Sequence, residues 1–408
     1  MKRERYLTSQ EAAEELRISP TTLYAYVSRG LIRSEASDGD SRSRRYYKDD
    51  IRRLKEQKDF RRNPTKAVEQ ALHWGEPVLD SAITLIGNGQ LYYRGHDAVE
   101  LATTRAVEEV AALIWLGDVT AEVSTLFDAA SSRASFRCLA ARRRVADLAP
   151  MEMFQAILPL AAAEDITAYD FRPLAVAQTG ARILGLLALI AAGRDEKGNN
   201  LAHTLQEGWA PEDPSAVQLL RAALILCADH ELNVSAFTAR CVASAGSTPY
   251  AVVMAGLSAL QGTKHGGSVE QVEAFLQEVG TPGQAQAVIA HRLKRGERLP
   301  GFGHQLYPGG DPRGKALLEL TSKMYPDSPA VALSEALVTQ VHHAIGQHPT
   351  VDFSLAILTN ALQQPPGAAL ALFALGRTIG WIGHAIEQYQ IDQLIRPRAR
   401  YTGPAPRL

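Results

Sequence analysis

The chain has 408 residues, of which 46% are apolar and 21% are charged, and its formal net charge is −1. These values exclude a disordered, collagen-like or fibrous chain, and the length favours two or three folded domains. No run reaches the ~18 uncharged apolar residues that a membrane span needs, and the polar N-terminus is unlike a signal peptide, so we expect neither membrane insertion nor secretion. The three cysteines lack disulfide or zinc spacing, which favours buried, reduced thiols and a cytoplasmic location.

Positive charge is concentrated at the start of the chain. Residues 1–62 hold 16 Lys and Arg against 11 Asp and Glu, whereas the remaining residues carry a net charge of −6. Pro64 follows shortly afterwards, and a proline disfavours helical structure at its own position and at the residue before it. We therefore predict a first domain of residues 1–62 and a second domain of residues 63–408.

Two short helices are predicted in the first domain. Thr8 and Glu11 form a capping box ahead of one helix, and Ser19 followed by Pro20 begins another, which ends at Gly30. Two helices joined by a short turn form a helix-turn-helix, whose second helix can lie in the major groove of DNA.

A basic segment follows these helices. The Ser- and Gly-rich stretch and the Arg and Tyr run of residues 34–48 predict a flexible wing with phosphate-binding cations. The segment YLTSQEAAEELRISPTTLYAYVSRGLIRSE, with RRYYKDDIRRL after it, resembles the winged helix-turn-helix modules of the MerR and excisionase group over residues 6–55. This resemblance implies DNA binding, with candidate contacts at Thr21, Thr22, Tyr24, Arg44 and Arg45. The alternative is a solvated helical module, or one that docks on another protein.

Helical periodicity dominates from residue 64 onward, which predicts a mainly α fold. Two apolar runs around Gly87-Asn88-Gly89, at residues 83–86 and 91–94, predict a small β-hairpin. Long Ala- and Leu-rich segments predict helices at residues 106–116, 151–162, 179–192, 215–245, 249–260, 330–346 and 368–389.

Ionisable residues interrupt this background at four places: DHELN at 229–233, within a predicted helix, KHGG at 264–267, PGFGHQLYPGGDPR at 300–313 and VDFS at 351–354. Glycines before a histidine give the backbone freedom to direct an imidazole into a cleft. Taken singly, His230 is explained more simply as a core histidine, Asp352 as a helix cap and Arg377 as a surface or salt-bridged arginine. No H-x-x-x-H or C-x-x-C pair supports a metal site.

Taken together and in order, a larger set of motifs resembles the citrate synthase family: DHELNVSAFTARCVAS, KHGG, PGFGHQLYPGGDPR, VDFSLAIL, GRTIGWIGHAIEQ and RPRARYTG. The segment ITLIGNGQLYYRGHDAVELATTRAVEEVAALIWLGD is similar to the family's opening hairpin and first helices, so the resemblance covers residues 80–403. It implies a mainly α-helical homodimer with a large domain (about 63–266 and 367–408) and a smaller one (about 267–366). The active site is implied to lie in the cleft between them.

The resemblance implies an acyltransferase that condenses an acyl-CoA, acetyl-CoA above all, with oxaloacetate and then hydrolyses the thioester to citrate and CoA. Asp352 matches the family's base for the weakly acidic α-proton, and His265 matches the hydrogen-bond donor to the thioester oxygen. His304 matches the histidine that polarises the oxaloacetate ketone. No cofactor or metal is implied beyond the CoA thioester as co-substrate.

The resemblance also assigns the groups that hold oxaloacetate. Its two carboxylates suit guanidinium groups, which bind a carboxylate through two parallel hydrogen bonds. Arg313, Arg377 and Arg396 match the family's carboxylate-binding arginines, and His230 matches a further oxaloacetate contact. Arg396 is implied to reach into the neighbouring subunit's site.

Some positions depart from the family pattern. Lys264 stands where an apolar residue is usual, Ser268-Val269 replaces the common Ala-Asn, and Gln305 and Pro308 stand where many members have basic residues near the CoA phosphates. These departures bear on acyl-CoA affinity more than on the reaction class. Since acetyl-CoA and propionyl-CoA differ by one methylene, worth about 1 to 3 kcal/mol in a pocket, 2-methylcitrate synthesis from propionyl-CoA stays open.

A second function also stays open, that of a DNA-binding regulator whose citrate synthase-like body senses oxaloacetate or an acyl-CoA. A dimeric body would pair two helix-turn-helix modules and predict a two-fold symmetric DNA site. The presence of Asp352, His265 and His304 favours the enzyme, because a sensor has no evident need of a catalytic base.

Overall fold

A computed structural model describes residues 6–16, 18–29, 31–37, 40–48, 50–51, 54, 79–118, 123–127 and 135–404. The chain forms two compact units, Met1–Asp80 and Ser81–Leu408. The predicted domain boundary at residue 62 lies outside the described residues and stays a prediction.

The first unit is a small helix-turn-helix with a three-stranded antiparallel sheet. Helix α1 (Ser9–Glu15) begins at the predicted capping box, and α2 (Pro20–Ser28) is capped by the Ser19 hydroxyl, so both predicted helix starts are confirmed. Strands β1 (Tyr6–Thr8), β2 (Ser34–Ser37) and β3 (Asp40–Tyr47) are arranged in the order β1-β3-β2. The predicted wing is therefore largely the β2–β3 ribbon, and its partner β1 was not anticipated.

The second unit is mainly helical, as predicted. Several helices begin with proline, whose missing N–H makes no difference in the first turn. Short 3₁₀ helices lie at Ile166–Tyr169 and Pro282–Gln284. The described α-helices are α3 (Ala98–Thr104), α4 (Val107–Leu116), α5 (Val123–Phe127), α6 (Phe136–Arg144), α7 (Pro150–Glu164), α8 (Pro173–Ala192), α9 (Leu201–Trp209), α10 (Ala216–Leu226), α11 (Val234–Ser244), α12 (Pro249–Leu260), α13 (Ser268–Val279), α14 (Ala285–Lys294), α15 (Pro312–Met324), α16 (Pro329–Ile345), α17 (Val351–Ala361) and α18 (Ala368–Ile391).

The predicted hairpin is confirmed as β4 (Thr84–Gly87) and β5 (Gln90–Tyr93), and a short β6 (His96–Asp97) extends it. Asn88 and Gly89 both have positive φ, 53° and 76°, the conformation that a tight two-residue hairpin turn requires. The hairpin supports the segment behind the candidate site, because the buried Tyr93 hydroxyl lies within hydrogen-bond distance of the backbone at Ile225, Leu226 and Asp229.

The prediction of one helix over residues 215–245 is wrong, since residues 227–233 form an irregular connection between α10 and α11. Glu231 has φ 52°, which is incompatible with a continuing right-handed helix. Asn233 then starts α11 by accepting a hydrogen bond from the backbone N–H of Ala236. Because this connection is not helical, its side chains are not confined to the positions that the surface of a helix would give them.

Within the part of the chain that the structure describes, two helices, α8 and α18, are long and apolar enough to cross a membrane by length and composition, which the sequence did not lead us to expect. In α18 the whole apolar window is buried inside the protein, and in α8 67% of it is buried. This burial is typical of core helices of a folded unit.

The described residues of the second unit form two clusters of buried apolar side chains. The larger surrounds α8, α10 and α18, and the smaller is formed by α13, α14, α16 and α17 together with Leu299 and Phe302. The predicted division into large and small domains at residues 267 and 366 stays a prediction.

Candidate active site

Arg377 is positioned by the close approach of α18 to the connection between α10 and α11. A Cβ on Gly376 would lie 2.6 Å from the Leu224 carbonyl oxygen, and one on Gly380 would lie 2.5 Å from the Ala228 carbonyl oxygen. The Gly380 N–H also donates to that Ala228 oxygen at 2.9 Å. Because only glycine permits this packing, the two glycines hold the intervening arginine against the connection.

The Arg377 guanidinium is buried, with 1% exposure, and only partly satisfied. Its Nε donates to the Cys227 carbonyl oxygen at 2.8 Å, whereas its Nη2 has no hydrogen-bond partner among the described residues. Burial, and then the charge of Arg313, lower the pKa of Arg377 although Asp229 raises it. A buried cation with a free N–H group is a site for an anion, since leaving such a group unpaired is costly.

Arg313 lies at the start of α15 and is held by the carboxylate that caps this helix. Its Nε and Nη2 donate to the two Asp311 oxygens at 3.0 and 2.8 Å, and the Val351 N–H donates to the same carboxylate at 3.1 Å. Burial alone would raise the pKa of Asp311, but the charge of Arg313 lowers it. The paired fork uses Nε and Nη2, so Nη1 takes no part in the contact with Asp311.

Two of the predicted histidines, His230 and His304, meet at one tyrosine. Their ring centroids are 5.4 Å apart, and those of His304 and Tyr307 are 4.9 Å apart. His230 Nε2 lies 3.1 Å from the Tyr307 hydroxyl oxygen. Burial and then Arg313 lower the pKa of each histidine, so both rings are neutral near pH 7.

The backbone selects one tautomer of His304. The Leu306 N–H donates to His304 Nδ1 at 3.2 Å, so Nδ1 carries no proton. In a neutral imidazole the remaining proton is then on Nε2, which is a hydrogen-bond donor.

His265 lies in the turn before α13, which glycines make compact, since a Cβ on Gly267 would lie 2.5 Å from the Gln261 carbonyl oxygen. Its Nε2 lies 2.8 Å from the Ser235 hydroxyl oxygen, which also accepts a hydrogen bond from Trp381 Nε1 at 3.1 Å. Burial, and then the charge of Arg377, lower the pKa of His265 to about 4. This ring too is neutral near pH 7.

Asp352 is the second residue of α17, and each of its carboxylate oxygens accepts a hydroxyl hydrogen bond. Ser268 Oγ donates to Oδ1 at 2.8 Å, and Thr350 Oγ1 donates to Oδ2 at 3.1 Å. The Ser268 N–H donates to the His265 carbonyl oxygen at 3.0 Å, so the carboxylate and this histidine are joined through one turn.

A chain of contacts therefore connects six of the seven residues that the sequence predicted for this site. They are His230, His265, His304, Arg313, Asp352 and Arg377, and they belong to segments up to 150 residues apart. The seventh, Arg396, lies exposed in the segment that follows α18.

Some residues of this network were not singled out from the sequence. Tyr307 and Asp311 lie inside the PGFGHQLYPGGDPR motif, and their position between His304 and Arg313 is the signal that could have identified them. Ser235 likewise lies inside the DHELNVSAFTARCVAS motif, whereas Thr350 stands just before VDFSLAIL and carries no signal of this kind. His384, which was not assigned to the site from the sequence, is buried and has its Nε2 3.2 Å from Oδ1 of Asp229, the residue before His230.

Within the described residues, no group of three or more His, Cys, Asp or Glu side chains could hold a metal ion.

In the first unit, the candidate DNA contacts lie on α2 and β3. Thr21 and Tyr24 are exposed on α2, Tyr24 to 54%, while Thr22 is half-buried beside the Ser19 cap. Arg44 is exposed and donates to the Ser34 hydroxyl, whereas the Arg45 guanidinium stacks 5.5 Å from the Tyr6 ring centroid.

Comparison with known proteins identifies both units. The family model "Citrate synthase, C-terminal domain" matches residues 72–398, and the model "Helix-turn-helix domain" matches residues 6–59. The chain is 30% identical to citrate synthase 2 of Bacillus subtilis strain 168, with 81% of this chain and 95% of that one covered. It is 28% identical to the 2-methylcitrate synthase of Mycobacterium tuberculosis strain H37Rv, with 78% and 86% covered.

A solved structure shows the same fold. The citrate synthase of the archaeon Thermoplasma acidophilum, in a ternary complex with carboxymethyl coenzyme A and oxaloacetate, matches with a TM-score of 0.73 at 24% identity, covering 81% of this chain and 95% of that one. Family model, relative and fold agree, and the chain belongs to the citrate synthase family of acyltransferases, with a helix-turn-helix domain at its start.

Proposed function

We propose that this protein condenses acetyl-CoA with oxaloacetate and hydrolyses the resulting thioester to citrate and CoA. The observation that carries the proposal is the unpaired Nη2 of the buried Arg377, beside the second buried guanidinium of Arg313. Together the two guanidinium groups suit a small dianion. The histidines around them are neutral, so the charge of the dianion is balanced by the arginines. The ternary complex of the Thermoplasma acidophilum relative supports oxaloacetate as that dianion.

The neutral tautomers suit the electrophilic half of the reaction. With oxaloacetate held by the arginines, His304 Nε2–H donates to its ketone oxygen and makes the ketone carbon more electrophilic. The Tyr307 hydroxyl holds His230 through its Nε2 atom, and His230 is proposed to contact the same substrate. A preorganised donor of this kind stabilises the negative charge that develops on the ketone oxygen.

The nucleophilic half uses His265 and Asp352. The Asp352 carboxylate takes an α-proton from the acetyl group, and His265 donates to the thioester oxygen as it becomes an enolate. The Ser235 hydroxyl donates to Asn233 Oδ1 at 2.9 Å and lies 2.8 Å from His265 Nε2; in the proposed mechanism its hydrogen turns to Nε2, so that the His265 proton lies on Nδ1, which is then the donor. The enolate carbon attacks the oxaloacetate ketone carbon, the new alkoxide takes a proton, and water finally displaces CoA from the thioester.

A CoA-release assay with acetyl-CoA and propionyl-CoA side by side tests this function. Acetyl-CoA should give the larger kcat/KM, while a preference for propionyl-CoA would make the protein a 2-methylcitrate synthase, the name of one relative. Asp352→Asn should lower kcat by about 10²- to 10⁴-fold, because it removes the base while oxaloacetate binding persists. Undiminished CoA release from this variant would reject Asp352 as the base.

The protein is proposed to act as a homodimer in which Arg396 completes the partner's site. Arg396 is exposed in the segment after α18, which supports a role outside the cleft of its own subunit. A mixture of Arg396→Ala and Asp352→Asn chains, each inactive alone, should regain activity on subunit exchange, because one site of each hybrid would have both groups. If Arg396 serves its own subunit, every site in the hybrid lacks one group and no activity returns.

DNA regulation is the second candidate function, and the match of residues 6–59 to a helix-turn-helix domain favours it. The exposed Thr21 and Tyr24 of α2 and the nearby basic strand are the proposed contact surface. Selection from mixed-sequence DNA should recover a two-fold symmetric site. Replacing Arg44 and Arg45 by Ala should reduce the salt dependence of binding by about one counterion each. A selection without sequence enrichment would contradict DNA recognition.

A further inference from the structure

We propose that Ser268 positions the catalytic carboxylate by holding Asp352 Oδ1, which leaves Oδ2 as the oxygen that takes the substrate proton. This inference rests on the proposed function and adds a residue that orients its base. Ser268 touches no reacting atom in this scheme and acts through Asp352.

The two hydroxyl contacts to Asp352 differ in length and in the acceptors that each hydroxyl can reach. Ser268 Oγ lies 2.8 Å from Oδ1, a short distance for a hydroxyl donor to a carboxylate, and a serine hydroxyl has a single hydrogen to donate. Thr350 Oγ1 lies farther from Oδ2, at 3.1 Å, and has a second acceptor, the Gly301 carbonyl oxygen, at 3.3 Å. Its one hydrogen can therefore move to Gly301 and release Oδ2.

The backbone around Ser268 makes it a rigid anchor. Ser268 is the first residue of α13 and Asp352 the second residue of α17, two helices that pack in the smaller apolar cluster through Val272, Phe275 and Phe353. A hydrogen bond between the ends of two packed helices restricts the carboxylate plane more than a contact from a loop would. The same turn places His265, so one short segment sets the distance between the base and the thioester donor.

Release of Oδ2 is compatible with the local structure. The Thr350 hydroxyl keeps an acceptor after it turns to Gly301, so no buried hydroxyl is left unpaired. The Ser268 hydroxyl stays on Oδ1 and prevents rotation of the carboxylate about its χ2 bond. The proton then passes from the acyl α-carbon to an oxygen whose direction is already set.

Steady-state kinetics of Ser268→Ala test the proposal. We expect kcat to fall about ten- to hundred-fold with a nearly unchanged KM for oxaloacetate, because a misdirected base slows proton abstraction and leaves the arginines intact. With acetyl-CoA deuterated at the methyl group, the kinetic isotope effect on kcat should increase relative to the wild type. Ser268→Thr, which keeps the hydroxyl, should restore kcat to within about three-fold.

The matched control is Ser258→Ala, which removes an exposed hydroxyl that, among the described residues, donates to the Met254 carbonyl oxygen of its own helix. It should leave kcat and the isotope effect unchanged. Wild-type kcat in Ser268→Ala, or equal losses in Ser268→Ala and Ser268→Thr with an unchanged isotope effect, would overturn the positioning role. A larger loss in Thr350→Val than in Ser268→Ala would overturn the assignment of Oδ2. Wild-type protein that releases no CoA from either donor would instead reject the proposed function, and this inference with it.

Discussion

Replacing Arg377 by Lys should weaken oxaloacetate binding without unfolding the protein. Lysine keeps a positive charge near the buried Asp229, whose pKa the charges of His384 and Arg377 lower although burial raises it. It cannot, however, donate to the Cys227 carbonyl oxygen and to a carboxylate in the fixed fork that Arg377 provides. A hydrogen bond to a charged group contributes about 1.5 to 3 kcal/mol, which corresponds to a roughly 10- to 150-fold higher Kd.

Isothermal titration of oxaloacetate into the protein without acyl-CoA measures this Kd in the absence of turnover. Arg240→Lys is the matched control, because Arg240 is also fully buried but contacts Gln388 and Glu387, which do not belong to the candidate active site. Circular dichroism establishes that both variants are folded. A Kd for Arg377→Lys within two-fold of the wild type, in a folded protein, would refute the role given to the free Nη2.

Three further changes probe the support of the site. Tyr307→Phe removes the hydrogen bond to His230, worth about 0.5 to 1.5 kcal/mol, and should raise the Kd for oxaloacetate about two- to ten-fold in the same titration. Gly380→Ala places a Cβ against the Ala228 carbonyl oxygen and should lower stability by about 1 to 3 kcal/mol, measured as a lower melting temperature; an unchanged melting temperature would contradict the packing argument. Since the pKa of His265 is about 4 when folded and 6.5 when unfolded, only the unfolded chain gains this proton as the pH falls from 7 to 5. Urea unfolding should therefore show a loss of stability over this interval that is about 2 kcal/mol larger in the wild type than in His265→Gln.

The helix caps and the hairpin turn could be predicted from the sequence because the contacts that form them join residues close together in the chain. The capping box of Thr8 and Glu11, the Ser19 cap before Pro20 and the Asn88-Gly89 turn each involve residues within four positions of one another. The apolar periodicity likewise predicted helices α4, α7, α8, α12, α16 and α18 of the second unit, and with them the mainly α fold.

The helix break between α10 and α11 was not readable in this way. Its Ala- and Leu-rich flanks favour a continuous helix, whereas the Tyr93 hydroxyl contacts carbonyl groups of the interruption more than 130 residues later in the chain. Tertiary contacts outweighed local propensity at this point, and the connection they created places His230 and supports Arg377.

By itself, the sequence determined the starts of α1 and α2, the hairpin turn and the residue types of the site, because these depend on short-range chemistry and on recognisable motifs. Only the tertiary structure decided that Arg377 keeps an N–H group without a partner among the described residues and that Ser268 holds Asp352. Burial and the geometry of individual hydrogen bonds decide these states. In this protein they arise where separate helices and loops of the second unit meet.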